Sequence, residues 1–326
     1  EELREFVATL VLRFGSDNTS ELVDRVEKRQ RQLGLGSDSS ALLLAVGLVR
    51  DWIKLGATDL NRDALEEVLA KQRFPRAQTE AATVCIDTIK ASSGASTPDF
   101  ALNWCGRFDG PPERRGHTLA PGVDWNRDLF PELAELEKRI VATGKQQIRV
   151  SGFSRLSVWF AFGYVFCDVS RYVIEFEQSG RFWRSNSSPS ADFQLVRTEE
   201  PLGNRAMCED GPVAIGVSVT GSLDEDVRQY LKTHEPSARH LLLLQPNRPL
   251  GRDCLRNEND AVALADCVKD AARQFVKATR ATQLLLFYFG PAVGACFIGH
   301  RLNAVCRQIH VMEDTQPGYQ RTFLLS

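Results

Sequence analysis

The sequence predicts an α/β protein: two fused Rossmann-like halves preceded by a small α-helical domain. Three observations carry that prediction. From about residue 98 onward, short apolar runs with strand character alternate with helical periodicity, the pattern of a largely parallel sheet layered with helices. The alternation occurs twice, over about 98–211 and about 212–326. Residues 1 to about 90 carry helical patterns only, and the Ser/Gly/Pro stretch at 91–98 breaks the composition as a linker does. The expected domains are therefore 1–97 and 98–326.

In the first region Leu3, Phe6, Val7, Leu10 and Val11 follow helical spacing. Residues 21–33 resume it with alternating charges until Gly34 and Gly36 stop it. Serines at 37–40 cap an apolar helix over 41–55, which closes at Gly56, and a short helix runs from Asp59 through Leu69. No cluster of reactive side chains stands out there. Beyond the linker, 100–104 reads as a strand and 106–122 as a Gly/Pro/Arg loop. A helix over 130–143, a strand over 147–150 and an apolar helix over 154–166 follow, the last with Ser154 as its N-cap. Strands over 172–177 and 181–185 and a polar loop over 185–190 complete the first series.

The second series opens with a strand over 212–219 and a helix over 223–233, whose Asp224, Glu225 and Asp226 suit the positive end of the helix dipole. A strand over 240–244 leads to a loop over 245–257 holding Arg248, Arg252 and Arg256. The long helix at 258–279 is amphipathic. A buried strand at 284–289 passes through Gly290 and Pro291 into a helix over 293–302, and strands at 307–312 and 321–325 close the chain.

Composition narrows the function classes. The 326 residues are 43% hydrophobic and 25% charged, which excludes a disordered or fibrous chain. A formal net charge of −2 gives no global field for duplex DNA. No apolar run approaches the ~20 residues of a membrane span, and no basic-then-apolar leader opens the chain. The eight cysteines form no C-x-x-C pair and sit mostly within apolar patterns, as free thiols of a cytoplasmic protein do. The chain opens at Glu1 within a helical pattern, which is expected of a piece of something longer. The basic residues are skewed, 31 Arg to 9 Lys, and Arg carries a planar fork suited to phosphates and base edges.

Standard catalytic signatures are absent. There is no phosphate loop, no G-x-G-x-x-G after a strand, no nucleophile elbow and no H-E-x-x-H. Asp168 with Glu175 and Glu177 has nuclease-like spacing, but position 178 is Gln where such a site needs Lys. No catalytic residue and no metal ligand is assigned. Attention falls instead on loops at the C-terminal ends of strands, where open α/β sheets bind ligands. One runs from Arg107 to Trp125, with Arg107, Arg114 and Arg115 as charged groups and Trp125 as a stacking face for a base. The second holds Ser151, Gly152, Phe153 and Arg155 at a helix start, where unpaired N–H groups attract anions. The third holds Thr220 and Ser222, and the fourth Gly290, Pro291 and Ala292. The pocket is expected between the halves. Arg155→Ala is expected to weaken a ligand while sparing the fold.

At this point the residues resemble a known family. Leu102-Asn-Trp-Cys-Gly-Arg-Phe108, Trp125-Asn-Arg-Asp-Leu-Phe130 and Ile148-Arg-Val-Ser-Gly-Phe-Ser-Arg-Leu-Ser157 resemble the opening of a SAVED domain. Leu284-Leu-Leu-Phe-Tyr-Phe-Gly-Pro-Ala292, Ile298-Gly-His-Arg-Leu-Asn303 and Tyr319-Gln-Arg-Thr-Phe-Leu324 are similar to its close. The resemblance implies two fused CARF-like halves and a sensor of the bacterial anti-phage systems called CBASS. It implies binding of a cyclic oligonucleotide, commonly an adenine-rich cyclic trinucleotide, with self-association on binding and activation of an attached effector. With Arg13-Phe-Gly15, residues 48–53 and Leu60-Asn-Arg-Asp-Ala-Leu65, residues 1–90 resemble the region that joins a DNA endonuclease to such a sensor, which implies a nuclease upstream of Glu1 and contact with DNA only through it. Two alternatives stay open: a CARF-like enzyme that degrades a cyclic nucleotide, and a binding module for another nucleotide.

Overall fold

In the first half, Val84 and Ile86 are buried on either side of half-buried Cys85 on β1 (Ala82–Asp87), the second strand of a five-stranded sheet. The computed structural model describes residues 81–92, 97–110, 118–202, 211–315 and 318–326. The helices expected over 1–80 lie outside the described residues, as do Arg114, Arg115, His117 and Cys208. β1 is the first difference from the sequence reading, which continued the helical region to about 90. It lies on the N-terminal side of residues 91–98, so part of the first sheet precedes the stretch read as a linker.

β1 is flanked by β2 (Phe100–Asn103) on one side and β5 (Gln147–Ser151) on the other. Beyond β5 come β6 (Val173–Gln178) and β7 (Arg181–Arg184). The pairs β2–β1, β1–β5 and β5–β6 are parallel and β6–β7 is antiparallel. Two residue pairs, β3 (Phe108–Asp109) and β4 (Thr118–Leu119), form a separate antiparallel ladder. Helix α1 (Phe130–Thr143) buries Leu133, Leu136 and Ile140, the spacing of one helix face. Helix α2 (Leu156–Val165) is apolar on all sides and buried from Ser157 to Gly163.

The second sheet has six strands in the order β13, β12, β11, β9, β10, β8. They are β8 (Leu195–Pro201), β9 (Val213–Ser218), β10 (His240–Pro246), β11 (Gln283–Phe289), β12 (Gln308–Asp314) and β13 (Tyr319–Leu325). The four inner strands run parallel, and β8 and β13 are antiparallel edges. Every residue of β9 is buried, the continuous apolar run that a parallel strand covered on both faces requires. The helices are α3 (Asp224–His234), α4 (Glu258–Thr279) and α5 (Ala292–Arg301). Strand order and direction repeat between halves: β2, β1, β5, β6, β7 in one match β10, β9, β11, β12, β13 in the other. Among the described residues the second half adds α3 and β8.

The halves meet where α2 crosses α5. Gly163 is the eighth residue of α2 and Gly299 the eighth of α5. A Cβ on Gly163 would lie 2.0 Å from the Cys296 carbonyl oxygen, and one on Gly299 2.2 Å from that of Phe160. Phe160 and Cys296 are each the fifth residue of their helices, so the contact is reciprocal. This is the geometry of an internal pseudo-two-fold axis.

Further clasps join the halves. Asn126 donates to the Thr322 carbonyl at 3.0 Å and accepts from Leu324 N–H at 2.7 Å, acting as a partner for edge strand β13. Arg301 at the end of α5 pairs with Asp168 at 2.6 Å and donates to the Ser185 carbonyl at 3.1 Å. His300 is buried and its Nδ1 meets the Phe166 carbonyl. Burial pushes its pKa down to about 4, against an opposing pull from that carbonyl. The folded protein thus holds His300 neutral where the unfolded chain, with an ordinary value near 6.5, takes up a proton. Stability is expected to be fully present above pH ~6.5 and to fall toward pH ~4, by up to about 3 kcal/mol. His310, also lowered chiefly by burial, acts in the same direction. Urea midpoints at pH 7 and 5 test this, and His300→Gln should flatten the dependence.

Candidate functional site

In each half the chain reverses direction across the sheet between two neighbouring parallel strands, β1 and β5 in the first and β9 and β11 in the second. Ligands of open α/β sheets bind outside the carboxyl ends of strands at such switch points. The turns at 151–155, 220–222 and 289–292 all lie there.

In the first half the turn is folded onto the end of β1. The Phe153 carbonyl accepts from Thr88 N–H at 3.0 Å and Ile89 N–H at 2.9 Å. Asp87 Oδ1 accepts Phe153 N–H at 2.9 Å, and its two oxygens take the Ser92 N–H and hydroxyl at 2.7 Å each. Gly152 has φ +127°, and a Cβ there would lie 2.1 Å from the Ile86 carbonyl oxygen, so only glycine fits. Ser154, expected as the N-cap of α2, instead donates its hydroxyl to that carbonyl at 2.7 Å, and Arg155 is the N-cap residue.

The second half repeats the arrangement. The Phe289 carbonyl accepts from Val219 N–H at 2.8 Å and Thr220 N–H at 3.0 Å. The Phe289 ring lies over Gly221, where a Cβ would approach it to 2.6 Å. Gly290 and Gly294 leave space for Tyr288, whose hydroxyl donates to the Pro291 carbonyl at 2.9 Å. Pro291 is the N-cap residue of α5 and Ala292 its first residue. Phe153 and Phe289 therefore occupy corresponding positions, three residues before their helices, and both rings are exposed, 47% and 36%. Lys90 Nζ sits 4.0 Å from the Phe153 ring centroid.

A pocket of about 200 Å³ opens at this end of the molecule. The first half contributes Arg155 and Leu156. The second contributes Ser222, Leu223 and Asp226 at the start of α3, Tyr288 and Phe289 of β11, Met312, Glu313 and Asp314 of β12, and Tyr319 of β13. Arg155 Nη1 lies 3.5 Å from Glu313 Oε1, both side chains nearly buried. Glu313 Oε2 also accepts Ser157 N–H at 3.0 Å. A carboxylate of the second half thus holds the N-terminus of the first half's α2, the place the sequence reading offered to a ligand phosphate. Arg155→Ala, expected from sequence to spare the fold, leaves Glu313 buried beside no guanidinium and is now expected to destabilise it.

The other expected ligand contacts are distributed as follows. Ser222 lines the pocket beside Arg155, and its hydroxyl accepts Asp224 N–H at 3.3 Å. Thr220, Gly290, Pro291 and Ala292 frame the turn next to Phe289, while Ser151, Gly152 and Phe153 stand at the first-half switch point. Arg107 is engaged by Glu132, which also accepts the Trp104 indole N–H at 2.7 Å, and it does not line the pocket. Trp125 is a correction. It is 6% exposed and set edge-on between Phe108 and Phe323, at centroid distances of 5.5 and 5.0 Å. No open face remains for a base, because the ring fills the seam between a first-half loop and β13. Trp125→Ala is expected to lower stability by about 3 kcal/mol, read from a chemical-denaturation midpoint.

The sequence reading missed Glu313, Asp314, Tyr288, Met312 and Tyr319 as pocket residues and took Asp226 only as a dipole partner. The available signal was the acidic pair ending the apolar run of β12. The Asp168–Glu175 spacing is structural: Glu175 is buried between Arg149 at 2.9 Å and Arg184 at 2.8 Å. Burial alone would raise its carboxyl, but those guanidinium groups hold it below the ordinary range. Among the described residues no group of three His, Cys, Asp or Glu side chains is placed to hold a metal ion. The seven described cysteines are free thiols, and no described helix is long and apolar enough to cross a membrane.

The family described as "SMODS-associated and fused to various effectors sensor domain", SAVED, matches residues 131–325. Among curated proteins the chain is 27% identical over 229 residues to CD-NTase-associated protein 4 of Acinetobacter sp., an alignment covering 68% of this chain and 45% of that protein. The protein of the same description from Moraxella osloensis is 25% identical over 229 residues, with the same coverage. The chain therefore spans about half the length of the curated relatives it matches. Among solved structures it is similar to the Acinetobacter baumannii Cap4 SAVED/CARF-domain containing receptor with the cyclic trinucleotide 3'3'3'-cAAA. That likeness has TM-score 0.63 and 18% identity over 96% of this chain and 67% of that one. The same receptor with 2'3'3'-cAAA gives TM-score 0.62 and 19% identity over 81% and 55%. These structural likenesses carry the fold.

Proposed function

The chain belongs to the SAVED family of sensor domains, and from that premise we propose that it binds a cyclic oligonucleotide, a cyclic trinucleotide containing adenine, in the cleft between its halves. Binding drives self-association and activates an attached effector, a DNA endonuclease, within a cytoplasmic CBASS anti-phage system. The observation that carries this reading is the convergence of both switch points on one end of a single body. Each presents an exposed phenylalanine on a turn that enters a buried helix, and the pocket beside Phe289 has Arg155 and Leu156 of the first half in its wall. The ligands named for the A. baumannii receptor give the reading its chemistry: flat bases for aromatic and apolar walls, and phosphates for N–H and cationic partners.

The two halves present unlike faces, and contact of one chain's first half with the next chain's second half joins copies head to tail, into open chains or rings. Ligand at the cleft mouth adds surface to that contact and makes assembly depend on its concentration. Calorimetric titration of the chain with 3'3'3'-cAAA and 2'3'3'-cAAA is expected to give saturable binding, and light scattering is expected to show growth only with ligand. Absence of binding to either, and to other cyclic di- and trinucleotides, would overturn the reading. Recovery of linear products after incubation would favour the cyclic-nucleotide-degrading alternative.

A further inference from the structure

We infer that the cleft pocket receives a base rather than a phosphate, and that its carboxylates select a base carrying an exocyclic amino group. The inference rests on the ligand class proposed above. At about 200 Å³ the pocket is smaller than the ~300 Å³ at which small-molecule sites begin, so it admits one ring system and leaves the rest of a cyclic oligonucleotide outside. Its walls are suited to a flat ring: Leu156 and Leu223, Phe289, Met312 and Tyr319. Its charges do not suit a phosphate. Among the described residues one cation, Arg155, faces three carboxylates, Asp226, Glu313 and Asp314, and Arg155 is already seated on Glu313. The N–H group of Ser157, the helix-start donor that an anion would seek, is taken by Glu313 as well.

A carboxylate accepts hydrogen bonds and donates none, and each has lone pairs for more than one donor. Asp226 stands exposed in the first turn of α3 and lines the pocket, as Ser222 does. The base groups that match such acceptors are amino groups: adenine N6, cytosine N4 or guanine N2. Hypoxanthine and uracil carry carbonyl oxygens where adenine and cytosine carry amino groups, and those oxygens would face the carboxylates lone pair to lone pair.

The test compares two ligand pairs by titration: 3'3'3'-cAAA against its hypoxanthine counterpart, and the cyclic tri-cytosine ligand against the tri-uracil one. The unsubstituted chain is expected to prefer the amino-bearing member of the pair it binds by about tenfold or more. Asp226→Asn and Asp314→Asn supply an amide N–H and are expected to narrow that preference, mainly by strengthening the carbonyl-bearing member. Melting curves of both variants check that the fold is retained. Equal affinity within a pair overturns the inference while leaving the proposed ligand class standing. Equal strengthening of both members by Asp226→Asn puts a phosphate beside that carboxylate and also overturns it. Failure of every cyclic oligonucleotide to bind overturns the ligand class and the inference together.

Discussion

Valine in place of Gly299 is expected to cost about 4 kcal/mol or more of stability, with Gly163→Val close behind. The new Cβ on residue 299 would stand 2.2 Å from the Phe160 carbonyl oxygen and that on residue 163 2.0 Å from the Cys296 carbonyl oxygen. The obstacle is helix backbone in each case, so no side-chain rotation relieves it. Helices α2 and α5 must move apart, and each is buried along most of its length between the two sheets. Separation strips contacts from Phe160, Phe162 and Phe297, all at the centre of the shared core. Gly106→Ala is the control: among the described residues nothing lies within 4 Å of its added Cβ, and a change within ~0.5 kcal/mol is expected. Urea midpoints of the three variants decide the matter. An unchanged midpoint for Gly299→Val would mean the helices do not cross at these glycines.

This crossing also explains which parts of the molecule were legible in the sequence. Helices α1 and α4 fall on the expected ranges of 130–143 and 258–279 because each buries one face and their periodicity is local. Helices α2 and α5 were visible as apolar runs, but that their glycines serve a helix–helix contact depends on residues more than a hundred positions apart. β1 was lost because a six-residue run followed residues whose sequence carries helical spacing and preceded a Ser/Gly/Pro stretch that reads like a boundary. In the fold that stretch belongs to the connection from β1 to β2 within one sheet. β8 was lost for the opposite reason: its residues are mostly exposed, and antiparallel pairing with β10 defines it. The switch-point turns were legible because strand, small residue and helix succeed one another in sequence. Trp125 was misplaced because an aromatic beside an Arg-rich loop looks the same whether it stacks on a base or on Phe108 and Phe323. Glu313 was missed because its partners, Arg155 and Ser157, lie in the other half.

Glu313→Ala is expected to cost about 4 kcal/mol, the second largest effect, because it breaks a buried ion pair from one side. It leaves the guanidinium of Arg155 in a site where its side chain is 9% exposed, and it removes the acceptor of Ser157 N–H. Glu313→Gln keeps an acceptor for Ser157 and removes only the charge, so about 1–3 kcal/mol is expected. The double variant Arg155→Met with Glu313→Leu removes both charges and both desolvation penalties and leaves only the Ser157 N–H without its acceptor, so it is expected to fall within about 2 kcal/mol of Glu313→Gln and to be more stable than Glu313→Ala. That ordering, read from denaturation midpoints, separates two roles for the pair. If stability were its whole purpose, an apolar replacement would serve as well. The pair is instead placed where the first half touches the pocket wall, so a ligand group entering there meets a charge from each half held in one hydrogen-bonded unit. The double variant should therefore fold and yet bind 3'3'3'-cAAA more weakly than the unsubstituted chain. Unchanged affinity in that variant would reduce Arg155 and Glu313 to a structural clasp and would move recognition to Phe153, Phe289, Asp226 and Asp314.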